Sequence, residues 1–193
     1  MDRLSIILPA KNEGAALKDL LPRLRQAQPA AEIIVVDDHS SDALDQTMAA
    51  YPQVRLLRNP GQGAAQARNF GAAHAGSEWL AFLDADDLWP PERCERLLGT
   101  LAADPALELV SGAMQQFHDD GAGGFAAFGE PTPTRLPSTT LMRRAAFERV
   151  GGFSPDFRVG ETIEWWSRAV DAGLACAAIP DTVLWRRVHA DNL

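Results

Sequence analysis

The stretch that most constrains the fold of this chain is an apolar run that ends in carboxylates. Residues 79–83 (WLAFL) carry no charged side chain, and Asp84, Asp86 and Asp87 follow them directly. An uninterrupted apolar run is typical of a strand buried on both faces of a parallel sheet, and aspartate is a poor strand former. We therefore predict that the strand ends at the acids. In open α/β sheets, ligands bind at this end of the strands.

The neighbouring acids repel one another, and a cation at the strand end would relieve that repulsion. Carboxylate oxygens suit Mg²⁺ or Mn²⁺, which complete their coordination shells with phosphate oxygens and water. The sequence therefore predicts a divalent metal there. For Asp87 two interpretations stay open, a ligand role and an N-terminal cap for a helix that begins near Pro91.

Two earlier apolar runs end in the same way. Residues 5–9 end at a proline, and residues 32–36 run into Asp37 and Asp38. Helical patterns lie between the strands, since leucines recur at positions 17, 20, 21 and 24 and residues 64–75 are rich in alanine. The alternation of strand and helix predicts βαβ units and a parallel sheet with right-handed crossovers.

Composition limits the classes of protein to which the chain can belong. Its 193 residues, 46% of them hydrophobic, suffice for one substantial core, and no linker-like tract divides them. The formal charge of −8 argues against a nucleic-acid surface and against a polybasic membrane patch. Cys94 and Cys176 have no metal-ligand spacing, which favours free thiols in a reducing compartment. No run has the length of a signal peptide or a membrane span, so we expect a cytoplasmic protein without an integral membrane segment, peripheral to a membrane only through a partner.

Six short motifs follow one another along the chain. In order they are residues 7–13 (ILPAKNE), 35–42 (VVDDHSSD), Asn59 and Gly63 with 67–69 (ARN), 82–87 (FLDADD), 143–153 (RRAAFERVGGF) and 160–169 (GETIEWWSRA). This order resembles the family 2 glycosyltransferases of the GT-A fold over nearly the whole chain. The resemblance implies an α/β, Rossmann-like nucleotide-diphospho-sugar transferase fold, in which a mostly parallel central sheet carries helices on both faces.

By the same resemblance, residues 1–193 form a single GT-A-like domain, with a nucleotide-sugar-binding half at 1–104 and an acceptor-binding and catalytic half at 105–193. The implied function is metal-dependent, inverting transfer of a sugar from a nucleotide-sugar, most commonly a UDP-sugar. The acceptor would be a hydroxyl on a carbohydrate, a lipid-linked molecule or another compound. The implied cofactor is Mn²⁺ or Mg²⁺.

The resemblance also implies which residues bind the nucleotide-sugar: Pro9, Ala10, Glu13, Asp38, Arg68, Asp84, Ala85 and Asp86. Asp38 would accept a hydrogen bond from the nucleobase, and its alternative is an acid at the N-terminus of the next helix. Arg68 would contact the donor, although a lone arginine on an alanine-rich helix is otherwise a solvated residue. Asp86 would bind the metal, and Asp84 the ribose or a metal-bound water. His189 would approach the metal or the diphosphate from across the site, and its alternative is a surface residue.

Inverting transfer needs a carboxylate that removes the acceptor proton. Where the family has a Glu-Asp pair followed by an arginine, this chain has Glu161, Thr162 and Arg168. Glu161 and Glu164 share a helix face, so both are candidate bases, and we prefer Glu161 because it keeps the family position. The alternatives are an acid that stabilises the helix N-terminus for Glu161, an ion pair with Arg168 for Glu164, and a chain that has lost its base.

Adjacent to these acids, Trp165 and Trp166 are candidates for an acceptor platform, because aromatic faces suit sugar rings. Neighbouring helical residues point about 100° apart, so at least one of the two is expected in the core, and we predict one core and one platform tryptophan. Residues 119–124 predict a turn between strands at 107–117 and 125–128. Residues 130–138 contain three prolines and predict a loop over the site.

Two other functions fit parts of this pattern. A non-catalytic nucleotide-sugar-binding module would keep the pocket and lack turnover because of Thr162. A sugar-nucleotide pyrophosphorylase shares a nucleotide-binding α/β core. Such an enzyme usually has a glycine-rich basic loop after its first strand, and residues 9–14 (PAKNEG) do not provide one.

Overall fold

Buried strands with acidic ends are present in the computed structural model of the chain, which describes residues 4–120, 124–157 and 160–188. The first four strands are β1 (Leu4–Ala10), β2 (Glu32–Asp37), β3 (Arg55–Arg58) and β4 (Trp79–Phe82). They run parallel in the order β3-β2-β1-β4. The helices that connect them are α1 (Gly14–Ala27), α2 (Leu44–Ala49) and α3 (Ala64–Ala73).

The later elements extend the same sheet. They are α4 (Arg93–Ala103), β5 (Leu109–Asp119), β6 (Phe125–Pro133), a 3₁₀ turn (Pro137–Thr139), β7 (Thr140–Arg143), α5 (Arg144–Val150), α6 (Glu161–Asp171) and β8 (Cys176–Arg187). Strand β7 lies between β4 and β5 and is antiparallel to both, β6 is antiparallel to β5, and β8 runs parallel to β5. The described strands thus form one sheet that is parallel through β4 and mixed beyond it.

Alternate side chains of β1 enter two separate cores, one on each face of the sheet. Ile6 and Leu8 belong to the core that contains the leucines of α1, all of which are buried, as their spacing predicted. Ile7 belongs to the core that contains residues of α3 and α6. Helix α3 approaches β1 closely at Gly71, where a Cβ would lie only 2.5 Å from Cγ2 of Ile7. The prediction of helices on both faces is therefore confirmed.

Three boundaries differ from those predicted. Helix α3 ends at Ala73 rather than at residue 75, and α4 begins at Arg93 rather than near residue 91. The predicted hairpin is present, but β6 continues through Pro133, so residues 130–133 are strand rather than loop. Proline lacks an N–H donor, and β6 tolerates it because an edge strand leaves one side unpaired. No helix within the described ranges is long and apolar enough to cross a membrane.

Candidate functional site

The carboxyl ends of β1, β2 and β4 lie side by side and bring the predicted acids to one edge of the sheet. Beyond the ends of the neighbouring strands, the N–H of Asp38 donates to the carbonyl oxygen of Ala10 at 2.8 Å, and the N–H of Leu83 donates to that of Ile7 at 3.0 Å. Both strand ends are therefore held against β1. These hydrogen bonds fix the backbone at Asp38 and just before Asp84.

Asp38 ties the strand edge to the loop before α3. Its carboxylate accepts hydrogen bonds from Nδ2 of Asn59 at 2.7 Å and from the N–H of Gly63 at 3.0 Å. Gly63 has a φ of 96°, a conformation that favours glycine. Asp38 is not the cap of α2, because Oδ1 of Asp42 accepts the hydrogen bond from the N–H of Leu44, the first residue of that helix.

A cavity of about 420 Å³ opens beside Asp38 and extends to the start of α6. Its walls include Lys11, Asp38, Gly63, Pro155, Phe157 and Glu161. The predicted donor residues Pro9 and Ala10 are buried and lie outside these walls, whereas Lys11, which sequence analysis did not select, borders the cavity. Glu13 is half-buried at the N-terminus of α1.

Arg68 connects the acidic strand end to α6. Its Nη2 donates to Oδ1 of Asp84 at 2.6 Å, and its Nη1 donates to Oε1 of Glu161 at 3.4 Å. Burial opposes the positive charge, but Asp84 and Glu161 outweigh burial and raise the pKa of the guanidinium. Arg68 is 6% exposed, so the alternative of a solvated residue is wrong. Arg68 thus joins two carboxylates from distant segments of the chain.

The acid Asp87 is held by the last strand. Its Oδ1 accepts the N–H of Arg187 at 2.9 Å, and Nε of Arg187 donates to the carbonyl oxygen of Asp86 at 2.8 Å. Burial and the charges of Asp84 and Asp86 raise the pKa of Asp87 to about 8. The residue before α4 is Glu92, so Asp87 does not have the predicted capping position.

The two candidate bases differ in how they are engaged. Both oxygens of Glu164 accept from Arg168, which also donates to the carbonyl oxygens of Val150 and Gly152. The hydrogen bond from Arg168 lowers the pKa of Glu164. The i,i+4 pair, offered above as the alternative, is therefore present, and it fixes α6 against the end of α5. Glu161 has the longer contact with Arg68 and borders the cavity.

Comparison with known proteins identifies the family of the chain. The family model of glycosyl transferase family 2 matches residues 5–122, more than half of the chain. The chain belongs to glycosyl transferase family 2. An uncharacterized glycosyltransferase of Haemophilus influenzae is 38% identical over 109 residues, which make up 55% of this chain and 37% of that protein.

Solved structures identify the fold of this family 2 chain. S. aureus TarS 1–349 in complex with UDP-GlcNAc has a TM-score of 0.79 and 18% identity, over 97% of this chain and 59% of that one. The mannosyltransferase PcManGT from Pyrobaculum calidifontis, in complex with GDP-Man and Mn²⁺, has a TM-score of 0.73 and 21% identity, over 97% of this chain and 57% of that one. The predicted GT-A fold is confirmed. The chain spans less than two thirds of each of these proteins.

The acidic strand end of this family 2 chain fits a divalent metal. Within the described ranges, no three His, Cys, Asp or Glu side chains form a complete metal site. Asp84 and Asp86 would offer hard oxygen ligands to an ion, which would take further ligands from a diphosphate and water. Burial is the largest cause of the raised pKa of Asp87, and the charges of Asp84 and Asp86 add repulsion that such an ion would relieve. His189 lies outside the described residues, so its role as a metal ligand stays a prediction.

Both tryptophans of α6 are buried. Trp165 is 1% exposed, packs between Phe147 and Phe153, and donates from Nε1 to the carbonyl oxygen of Gly151. This burial is at odds with a platform role for Trp165. Trp166 is 6% exposed and borders a second cavity, of about 640 Å³.

Sequence analysis missed several residues that organise the site. Ser138 donates to Oδ2 of Asp84 at 3.3 Å, and Asn59 holds Asp38. Asn59 and Lys11 lie within the family motifs, so their motif positions were a usable signal. Ser138 lies in the stretch that was predicted to be a loop over the site, but no local pattern indicated its contact with Asp84.

Proposed function

We propose that this chain is a metal-dependent, inverting glycosyltransferase that moves a sugar from a nucleotide-sugar to an acceptor hydroxyl. The observation that carries the proposal is the bridge made by Arg68, which joins Asp84 of the candidate metal site to Glu161, the candidate base. The reaction needs positive charge for the leaving diphosphate and a base for the acceptor. In this proposal both requirements are met around one cleft.

The donor binds to the first half of the chain, residues 1–104, through Asp38 and the acidic strand end. A carboxylate has about four lone-pair sites, so Asp38 can accept from a nucleobase while it holds Asn59 and Gly63. A UDP-sugar is the first donor to test, because TarS was solved with UDP-GlcNAc. GDP-sugars belong in the same test, because PcManGT was solved with GDP-Man.

Glu161 is the base in this proposal and removes the acceptor proton as the new bond forms. At 3.4 Å, its contact with Arg68 is loose enough to be exchanged for an acceptor hydroxyl. Glu164 is committed to Arg168 and is the weaker candidate. Bound at Asp86 and Asp84, Mn²⁺ or Mg²⁺ would supply positive charge to the leaving diphosphate.

Thr162 supports the second candidate function, a binding module without turnover. Its hydroxyl cannot serve as a base near neutral pH, so Glu161 is the remaining carboxylate of the family's pair. The residues from 105 onward supply the acceptor side in either case.

Release of UDP or GDP from a panel of nucleotide-sugars, measured with Mn²⁺, tests the proposal. Glu161→Gln is expected to lower the release rate by about 100-fold or more, the usual contribution of a general base, with unchanged affinity for UDP. Glu148→Gln in α5, an exposed acid in an i,i+4 pair with Arg144, is the matched control and should retain wild-type release. If Glu164→Gln abolishes the release of UDP or GDP and Glu161→Gln does not, Glu164 is the base instead.

Calorimetry with UDP separates transfer from binding alone. Asp86→Ala is expected to reduce UDP affinity in Mn²⁺ to the value measured in a chelator. An unchanged, manganese-dependent affinity in this variant would contradict the metal site. Tight UDP binding without release from any donor, even by slow hydrolysis, would favour the binding module.

A further inference from the structure

Both carboxylate oxygens of Asp84 are held, one by each half of the chain. Oδ1 accepts from Arg68 of α3 at 2.6 Å, and Oδ2 accepts from the hydroxyl of Ser138 at 3.3 Å. The side chain of Asp84 is 37% exposed, so without these donors it would rotate in solvent. Its orientation therefore depends on the 3₁₀ turn before β7 as well as on α3.

Ser138 is itself held through its carbonyl oxygen. That oxygen accepts from Nε1 of Trp89 at 3.2 Å and from Nη2 of Arg93 at 3.3 Å. Arg93 donates also to the carbonyl oxygen of Thr140 at 2.6 Å, and its guanidinium lies 3.7 Å from the centre of the Trp89 ring. Ser138 is 1% exposed, so its position is set by these protein contacts rather than by solvent.

Arg93 is a buried cation that has no carboxylate partner among the described residues. It is 1% exposed, and its Nε has no hydrogen-bond partner. An apolar side chain of similar volume is often the more stabilising choice at such a position. A buried, unpaired cation such as Arg93 is therefore expected only where function requires it. The hydrogen bonds that Arg93 donates to carbonyl oxygens both go to the segment that carries Ser138.

We propose that Ser138 is a positioning residue that orients Asp84 for the donor, and that Arg93 and Trp89 set the position of Ser138. The inference rests on the proposed function. Restricting Asp84 to one orientation before the donor arrives lowers the conformational entropy lost on binding. Ser138 and Arg93 act through Asp84 and need no contact with the donor.

Calorimetry with UDP and Mn²⁺ tests this role. Ser138→Ala removes one hydroxyl and is expected to raise the Kd of UDP about fivefold, less than the loss of a direct hydrogen bond to a charged group. Arg93→Met is expected to raise the Kd by a similar factor. Arg93→Lys should raise it less, because an ammonium can still donate to one of the two carbonyl oxygens.

A double-mutant cycle separates positioning from a general loss of stability. If Ser138 acts through Asp84, Ser138→Ala has no further effect on the Kd in the Asp84→Ala background. A purely structural role would instead raise the Kd by the same factor in both backgrounds.

The chain offers a matched control for each variant. The buried hydroxyl of Ser5, near the opposite end of β1, donates to Oε2 of Glu32 at 2.5 Å. Arg25 donates to the carbonyl oxygens of Pro29 and Ala31 and, like Arg93, has an unpartnered Nε. Ser5→Ala and Arg25→Met are expected to lower the Tm and to leave the Kd of UDP unchanged.

The outcomes distinguish this inference from the proposed function. A wild-type chain that does not bind UDP with Mn²⁺ overturns the proposed function, and the inference with it. Wild-type binding together with an unchanged Kd in Ser138→Ala, or with equal factors in the two backgrounds, overturns the positioning role alone. If circular dichroism finds Arg93→Met unfolded, the double-mutant cycle of Ser138→Ala and Asp84→Ala alone decides whether Ser138 positions Asp84.

Discussion

Replacing Arg68 by methionine tests the bridge on which the candidate site depends. Methionine fills much of the same space and removes the contacts with Asp84 at 2.6 Å and with Glu161 at 3.4 Å. The side chain of Arg68 is 7% exposed, while those of Asp84 and Glu161 are 37% and 20% exposed. The two acids that lose their partner therefore remain in partial contact with water.

These exposures set the expected magnitude. Removing one partner of a buried ion pair costs about 3–5 kcal/mol when the other charge stays buried. A hydrogen bond to a charged group contributes about 1.5–3 kcal/mol, and the long contact with Glu161 adds little. Because both acids reach water, we expect the free energy of unfolding to fall by about 2–3 kcal/mol. For a chain of this size that corresponds to a Tm lower by about 4–12 °C.

Urea titration and thermal unfolding, both followed by circular dichroism, measure the effect. Arg96→Met is the control, because the ion pair of Arg96 with Asp181 is exposed, at 48% and 34%, and such pairs contribute about 0–1 kcal/mol. Arg68→Met should also weaken UDP binding in Mn²⁺, whereas Arg96→Met should not. An Arg68→Met chain that matches the control in both measurements would refute the idea that one arginine supports both carboxylates.

Two further predictions concern packing and pH. Gly71→Ala should lower the free energy of unfolding by about 1–3 kcal/mol, because the added Cβ lies 2.5 Å from Cγ2 of Ile7. Gly99→Ala in α4 is the control and should raise the free energy of unfolding by about 0.5–1 kcal/mol, because its added Cβ has nothing within 4 Å. Equal effects of the two variants in urea titrations would contradict the close approach of α3 to β1. Burial opposes ionisation of Asp37, but hydrogen bonds from Ser40 and Arg58 outweigh it and lower the pKa of Asp37. A lowered folded-state pKa stabilises the fold above the unfolded pKa, and this contribution disappears as the pH falls through the folded value. Stability should therefore decrease below about pH 4, and Asp37→Asn should remove part of that decrease; an equally steep decrease in the variant would exclude Asp37 as its source.

The parts of the fold that sequence predicts well depend on patterns a few residues long. The buried strand before Asp84 and the amphipathic helix α1 follow from apolar spacing alone. The ion pair between Glu164 and Arg168 follows from the i,i+4 geometry of a helix and was among the alternatives. The spacing of residues along a helix or strand is the same in every fold, so apolar faces and i,i+4 pairs can be predicted from sequence alone.

Contacts between distant segments were not accessible in the same way. Ser138 and Asp84 are 54 positions apart, and no pattern in either segment indicates that they meet. Trp166 shows the same limit. We predicted one core and one platform tryptophan, but Trp166 as well as Trp165 is buried, and Trp166 donates to the carbonyl oxygen of Arg135, 31 positions away. The sheet order that brings these segments together is a property of the whole chain.

The replacement of the family's aspartate by Thr162 is best judged by where the two positions of the pair lie. Glu161 borders the cavity that contains Asp38, and Thr162 borders the second cavity, with Trp166. The two residues thus serve different cavities, although they are neighbours in sequence. If the acceptor hydroxyl enters the cavity of Glu161, the base is retained and threonine is compatible with turnover. If it enters the cavity of Thr162, no carboxylate of the pair is available there, and the acid that borders that cavity is Asp171. Which residue can act as the base therefore depends on which of the two cavities receives the acceptor.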